Sequence, residues 1–180
     1  MASSSTRLLT FAEFEQLPDT QQGFRYELRH GELFKVPPPK HRHFRVQQNL
    51  RELLARAVGA AGLVATEFGF KPQPEHQYWI ADVAYVSRAR WDRIPENGYL
   101  EGAPDLVVEV LSGSNTAAEM LDRRNVCLEN GALEFWLVDP EHRQVEVSTP
   151  DGRSITYKSG QAIPLLAAPG SHIPVDAIFQ

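Results

Sequence analysis

The sequence predicts a mixed α/β fold, a central sheet with helices against it and antiparallel strands added at its ends. Three observations predict it. Residues 43–58 carry Val46, Leu50, Leu53, Leu54, Ala57 and Val58 at three- and four-residue steps, the pattern of an amphipathic helix. "LVATEFGF", "YWIADVAYV", "DLVVEVL" and "LEFWLVD" are short apolar runs of strand length, rich in β-branched and aromatic residues. Between the third and fourth runs, "TAAEMLDRRNVCLENG" has a helix start in Thr116 and Glu119 and a helix stop in Gly131. The core order is therefore helix, three strands, helix, strand.

The flanking elements follow from local signals. "TFAEFEQLP" opens with a capping-box pattern, Thr10 to Glu13, and predicts a short helix stopped by Pro18. "FRYELRHGELFKV" reads as two strands around a turn at "RHG", a hairpin, and "VPPPK" as a stiff extended link. The first core helix is expected to end at Gly59 or Gly62. After the fourth core strand, "DPEHR" and "TPDGR" are turns that set "QVEVST" and "SITYK" side by side as a meander. The closing "IPLLAAPGSHIPVDAIF" is broken by proline and is expected to wrap the surface.

A chain of 180 residues, 42% hydrophobic and 23% charged, fits a single domain spanning 1–180, its core at about 25–140. Cys127 is the lone cysteine and permits no internal disulfide, which makes a cytoplasmic location the expectation. The start "MASSSTRLLTF" has too short an apolar run for a signal peptide, and no segment reaches membrane-spanning length. The net charge of −5 argues against tight non-specific nucleic-acid binding but allows a local basic patch. The densest basic stretch is "KHRHFR", residues 40–45, at the start of the first core helix.

Two acids interrupt the strands. Asp82 lies in the middle of "YWIADVAYV" and Glu109 inside "DLVVEVL". A buried carboxylate that stays ionised is costly unless a cation or strong hydrogen bonds compensate it. If neighbouring strands set these two side by side, one divalent cation could serve both. Capping of each by backbone N–H groups or an arginine, or a solvent-facing strand end, would also serve. Other chemistries find less support. Nothing marks an aromatic sugar-binding cleft for a glycosidase pair, His41 and His43 lack further soft-metal ligands, and "SGSN" is too short for a phosphate-cradling loop. Cys127 shares a helix face with Met120 and Leu128, the place of a core residue.

"RYELRHGELF", "HFRVQQNL", "IADVAYV", "GAPDLVVEVLS" and "GALEFWLVDP" resemble, in order, the motifs of the Uma-two family of restriction endonucleases, within the PD-(D/E)XK nuclease superfamily. The resemblance runs from about Arg25 to Pro140, and "IPVDAIF" is similar to the family's ending. It implies a restriction-endonuclease-like fold. It also implies a metal-dependent endonuclease acting on nucleic acid, DNA first, with Mg²⁺ or Mn²⁺ as cofactor. Asp82 and Glu109 would be the metal-binding acids and Val110 would offer its backbone carbonyl; Glu27 matches a further acid of the pattern. Arg42, His43 and Arg45 would meet nucleic acid, His43 falling where the family opens its first core helix with a histidine. Homodimer formation is left open.

The chain departs from this pattern in three ways. The superfamily lysine expected two residues after Glu109 is Leu111, and the lysine the family supplies from the next helix, eight residues before its glycine, is Arg123. The family's usual tyrosine is Cys127, and the "PD" before the first acid is Ala81-Asp82. Arginine stays protonated and cannot serve as a base, so Arg123 would act by charge alone. A helical wheel points Arg124 towards the sheet, the place of a structural ion pair. The alternative function is therefore a catalytically degenerate nuclease fold kept as a DNA-binding or oligomerisation module.

Overall fold

A computed structural model describes residues 7–17, 25–73, 75–113 and 115–180. Thr10 caps α1 (Phe11–Glu15) through the expected reciprocal box, its hydroxyl accepting from the Glu13 N–H while the Glu13 carboxylate accepts from the Thr10 N–H. Pro18 lies outside the described residues. The hairpin follows as β1 (Arg25–Arg29) and β2 (Glu32–Val36). Its turn residues His30 and Gly31 have φ of 50° and 78°, the paired positive values whose twist suits a two-residue hairpin.

The first core helix, α2 (His41–Val58), starts two residues earlier than its apolar periodicity does. It buries Val46, Leu50, Leu54 and Val58, together with Gln47, and Gly59 ends it at a φ of 53°. The strands β3 (Gly62–Lys71) and β4 (Trp79–Ser87) pair antiparallel. Two small elements that carried no periodic signal come next, α3 (Arg88–Trp91) and β5 (Leu100–Glu101), the latter joining β3 in parallel. β6 (Leu106–Val110), α4 (Ala117–Glu129) and β7 (Glu134–Asp139) form a parallel crossover. β8 (Gln144–Ser148) and β9 (Ser154–Lys158) complete the expected meander. Among the described residues the main sheet has seven strands in the order β5-β3-β4-β6-β7-β8-β9.

The sheet separates two cores. Leu106, Val108 and Val110 of β6 pack with the buried residues of α2, whereas Val107 joins Val126 and Cys127 of α4 on the other side. Glu109, by the same alternation, belongs to the α4 side. The alternation fails at one step of β4. Trp79 and Ala81 join the α4 core, yet Val83 and Tyr85 join the α2 core, so the faces exchange at Asp82. On β3 the opposite residue is Glu67, with a φ of 57°. The ladder bonds Thr66 to Val83 and Phe68 to Ala81 but skips the pair between them.

The tail does not merely wrap the surface. It forms β10 (Ala162–Pro164), β11 (His172–Pro174) and α5 (Val175–Ile178), and Ile163, Leu165, Ile173, Val175 and Ile178 enter the α2 core. Proline breaks the periodicity without removing the apolar area that burial rewards. No described helix is long and apolar enough to cross a membrane, which says nothing of a strand-built barrel. Ile163 is wholly buried. Ile163→Ala should therefore destabilise the protein by about 2–5 kcal/mol in denaturant melts; a change near zero would return the tail to the surface.

Candidate active site

Five elements, β1, α2, β4, β6 and α4, bring polar side chains into the fork where β4 leaves β6. The β4–β6 ladder ends at Val83 and Val108, and the next residue on each strand is an acid, Asp82 on β4 and Glu109 on β6. Below that point the edge of β4 is completed by other groups. Tyr78 exchanges backbone hydrogen bonds with Leu28 of β1. Ile80 donates its N–H to Glu27 Oε1 at 2.7 Å and accepts from Arg123 Nη2 at 2.9 Å. Side chains thus stand where a neighbouring strand would otherwise satisfy the backbone.

Arg123 is the centre of this cluster. Nη1 donates to both Glu27 oxygens, at 3.1 and 3.0 Å, and Nη2 donates to Glu27 Oε1 at 3.1 Å and to Glu109 Oε1 at 3.0 Å. The guanidinium also lies over the Trp79 ring. Glu27 and Arg123 are almost without solvent exposure, at 1% and 3%. Arg29 adds a second cation to Glu27, from Nε at 2.6 Å, and pairs with Glu119. That last contact explains why α4 has only half of its expected capping box. Thr116 accepts from the Glu119 N–H, but the Glu119 carboxylate turns to Arg29.

The charges of the three buried groups follow from this geometry. Burial pushes the Glu27 carboxyl up, but Arg123, Arg29 and the Ile80 N–H outweigh it and hold the group below its ordinary value. Burial likewise opposes the charge on Arg123, and Glu109 and Glu27 overcome it and keep the guanidinium charged. Glu109 fares differently. Burial pushes its carboxyl up to about 8; Arg123 opposes the rise, while the charges of Asp82 and Glu27 add to it. One guanidinium cannot compensate both acids, and Glu27 holds most of its donors.

Asp82 sits at the mouth of the fork. Its Oδ2 accepts the Val110 N–H at 2.7 Å, the first β6 donor beyond the ladder's end. Its Oδ1 accepts from Gln47 Nε2 at 2.8 Å and lies 3.0 Å from His43 Nε2. His43 and Gln47 stand one turn apart on α2, so that helix presents both to the same carboxylate. The Gln47 amide also donates to Glu67, which pairs with Arg25.

The expected site residues thus divide. Glu27, Asp82, Glu109, Val110 and Arg123 come together, and His43 joins them through Asp82. Both ways of satisfying the acids are present: Asp82 takes a backbone N–H, and Glu109 takes an arginine. Arg42 and Arg45 remain exposed on the outer side of α2. They line a cleft of about 110 Å³ with Arg143 and Glu141, and Arg42 donates to the Pro140 carbonyl.

Arg124 is a correction. It does reach the sheet, pairing with Glu146 of β8 at 3.7 Å, but the pair is partly exposed rather than buried, because the buried face of α4 runs through Met120, Arg123, Val126 and Cys127. The buried ion pair belongs to Arg123. Cys127 is a core residue, its thiol raised by burial. Asp105 is structural as well, accepting from the Ser87 N–H and pairing with Arg90. The sequence reading passed over Gln47 and Glu67. A glutamine on the apolar stripe of α2 and an acid inside "VATEFGF" were the available signals.

Two carboxylates and a neighbouring carbonyl are hard oxygen donors suited to Mg²⁺ or Mn²⁺, which needs only one or two protein carboxylates. The donor set fits such an ion. Asp82 keeps lone-pair capacity beyond its three partners, and the Glu109 carboxyl, whose proton burial retains, would ionise beside a cation. Among the described residues no group of three or more His, Cys, Asp or Glu side chains could hold a metal ion. The arrangement therefore does not fit an all-protein cage of the zinc kind.

With this geometry described, the comparisons place the chain. The family model described as "Putative restriction endonuclease", Uma2, matches residues 11–176, and the chain belongs to that family. Among solved structures the fold is similar to that of a protein from Anabaena variabilis ATCC 29413 described as "a putative nuclease belonging to DUF820". That likeness has a TM-score of 0.80 at 22% identity and covers 95% of this chain and 97% of the other. No curated protein matches the sequence.

The raised Glu109 carboxyl makes a pH prediction for the metal-free protein. Between its ordinary 4.5 and about 8 the folded state keeps a proton that the unfolded state has lost. Stability contributed by this group therefore falls as pH rises through that window and is level above it. Glu109→Gln should remove this slope, leaving the variant progressively more stable than wild type as pH rises from 5 to 8 in paired melts. Parallel wild-type and variant profiles would show that Glu109 is ionised throughout.

Proposed function

We propose that the protein is a divalent-metal-dependent endonuclease that hydrolyses phosphodiester bonds of nucleic acid, with DNA as the first substrate to test. The observation that carries the reading is the placement of Asp82 and Glu109 one step beyond the end of the β4–β6 ladder, Asp82 on the Val110 N–H and Glu109 on Arg123, in a chain of this family. Asp82, Glu109 and the Val110 carbonyl would hold Mg²⁺ or Mn²⁺. Bound there, such an ion supplies Lewis-acid polarisation of the scissile phosphate and activation of a water.

The chain's own residues set the remaining terms. His43 and Gln47 fix the orientation of Asp82. Arg123 fixes Glu109 and places a permanent positive charge behind it, while Glu27 anchors Arg123. Because each of these contacts is internal, Arg123 acts as a positioning residue rather than as a proton carrier. Arg42 and Arg45, exposed beside His43, supply phosphate contacts along the approach to the site.

One observation favours the degenerate-module alternative. The guanidinium that stands for the family's lysine has both terminal nitrogens already engaged by Glu27, Ile80 and Glu109, while its buried Nε has no partner among the described residues. A cleavage assay with Mg²⁺ and Mn²⁺ separates the two readings. Wild type should cut DNA, and Glu109→Ala should lower the rate about 10²–10³-fold, in line with the loss of one preorganised electrostatic group. Charge reversal of Arg42 and Arg45 should weaken DNA binding and reduce its salt dependence by about one counterion for each lost phosphate contact. DNA binding without metal-dependent cutting would establish the module.

A further inference from the structure

We infer that Glu67 is a positioning residue for Asp82, acting through the buried amide of Gln47. The inference deepens the proposed metal-dependent reading and rests on it. Three acids stand where the ladders break or end, Glu67 between Thr66 and Phe68 of β3, Asp82 between Ala81 and Val83 of β4, and Glu109 next to Val108 of β6. Only the latter two belong to the site described above.

Glu67 has a backbone that its side chain does not favour. A φ of 57° is left-handed space, where a non-glycine residue inside a strand is strained. The kink itself has a clear use, since the faces of β3 and β4 exchange at this step. Glycine would make that kink without strain. A glutamate there calls for a second reason, and its carboxylate supplies one.

That carboxylate accepts from Gln47 Nε2, the same nitrogen that donates to Asp82 Oδ1. Gln47 is wholly buried, and its Oε1 finds no hydrogen-bond partner among the described residues. A buried orphan acceptor is unfavourable, and turning the amide over would ordinarily be the remedy. Here the reversal would aim an oxygen at two carboxylates. Glu67 and Asp82 together therefore lock the amide with its N–H₂ between them. With Glu67 gone, the amide can turn or leave, and His43 alone would steady Asp82 Oδ1. Arg25 balances the charge of Glu67, so the carboxylate remains available as an acceptor.

A purely structural role and a positioning role differ in sign for one substitution. Glu67→Gly keeps the kink, relieves the strained φ and removes the acceptor. Thermal unfolding in the presence of a chelator and calorimetric titration with Mn²⁺ would be run on wild type, Glu67→Gly and Glu67→Gln. The expected result is a Tm for Glu67→Gly at or above wild type, with Mn²⁺ affinity about 10- to 100-fold weaker, the scale of losing a group that orients a metal ligand. Glu67→Gln, whose carbonyl can still accept from Gln47, should recover most of that affinity. Wild-type affinity in Glu67→Gly would overturn the inference while leaving the metal reading intact. Absence of Mn²⁺ uptake by wild type would overturn the metal reading and this inference together.

Discussion

One guanidinium shared between two buried acids holds this fold together at its most demanding point. β4 is bonded to β6 at one end and touched by β1 at the other, and between them its edge would be left open. Glu27 and Arg123 fill the gap, supplying an acceptor for the N–H of Ile80 and a donor for its carbonyl. The pairing also ties three separate parts of the chain, the N-terminal hairpin, the central sheet and α4. A buried ion pair with several satisfied hydrogen bonds adds little net stability over an apolar substitute, but removing one partner typically costs about 3–5 kcal/mol. The triad is therefore better understood as specifying where the sheet divides than as a source of stability.

The same division creates the functional geometry. Because β4 parts from β6, the Val110 N–H is released from the ladder and taken up by Asp82. Because Arg123 is bound mainly to Glu27, Glu109 has one donor among the described residues and sits near the charges of Asp82 and Glu27. Structural need is met on the inner side of the fork, and a carboxyl whose charge is incompletely compensated, Glu109, stands next to Asp82 towards its mouth. Under the proposed reading, a hard divalent cation would need only these acids and no dedicated cage of ligands. An arginine suits this arrangement, since its planar fork can bridge Glu27, Ile80 and Glu109 at once where an ammonium could not.

Much of this was legible in the sequence because it rests on local or periodic signals. Apolar stripes gave α2 and the core strands, capping residues gave α1 and α4, and the turn at His30-Gly31 gave the hairpin. Asp82 and Glu109 stood out because each interrupts an apolar run. What escaped notice was tertiary. The helical wheel could not decide between Arg123 and Arg124, since neighbours on a helix differ by only about 100° and the choice turns on which carboxylate lies opposite. Gln47 and Glu67 are significant only through partners on other elements. The tail's entry into the core was hidden by its prolines, and β5 and α3 are too short to carry a period.

The central claim is that the fork's inner charges are structural and its outer charges are open to a cation. Anomalous diffraction from crystals soaked in Mn²⁺ tests it most directly. The account predicts a single strong peak between the carboxylates of Asp82 and Glu109, with Arg123 still seated on Glu27. A peak elsewhere, no peak at saturating Mn²⁺, or an Arg123 drawn away from Glu27 would contradict it.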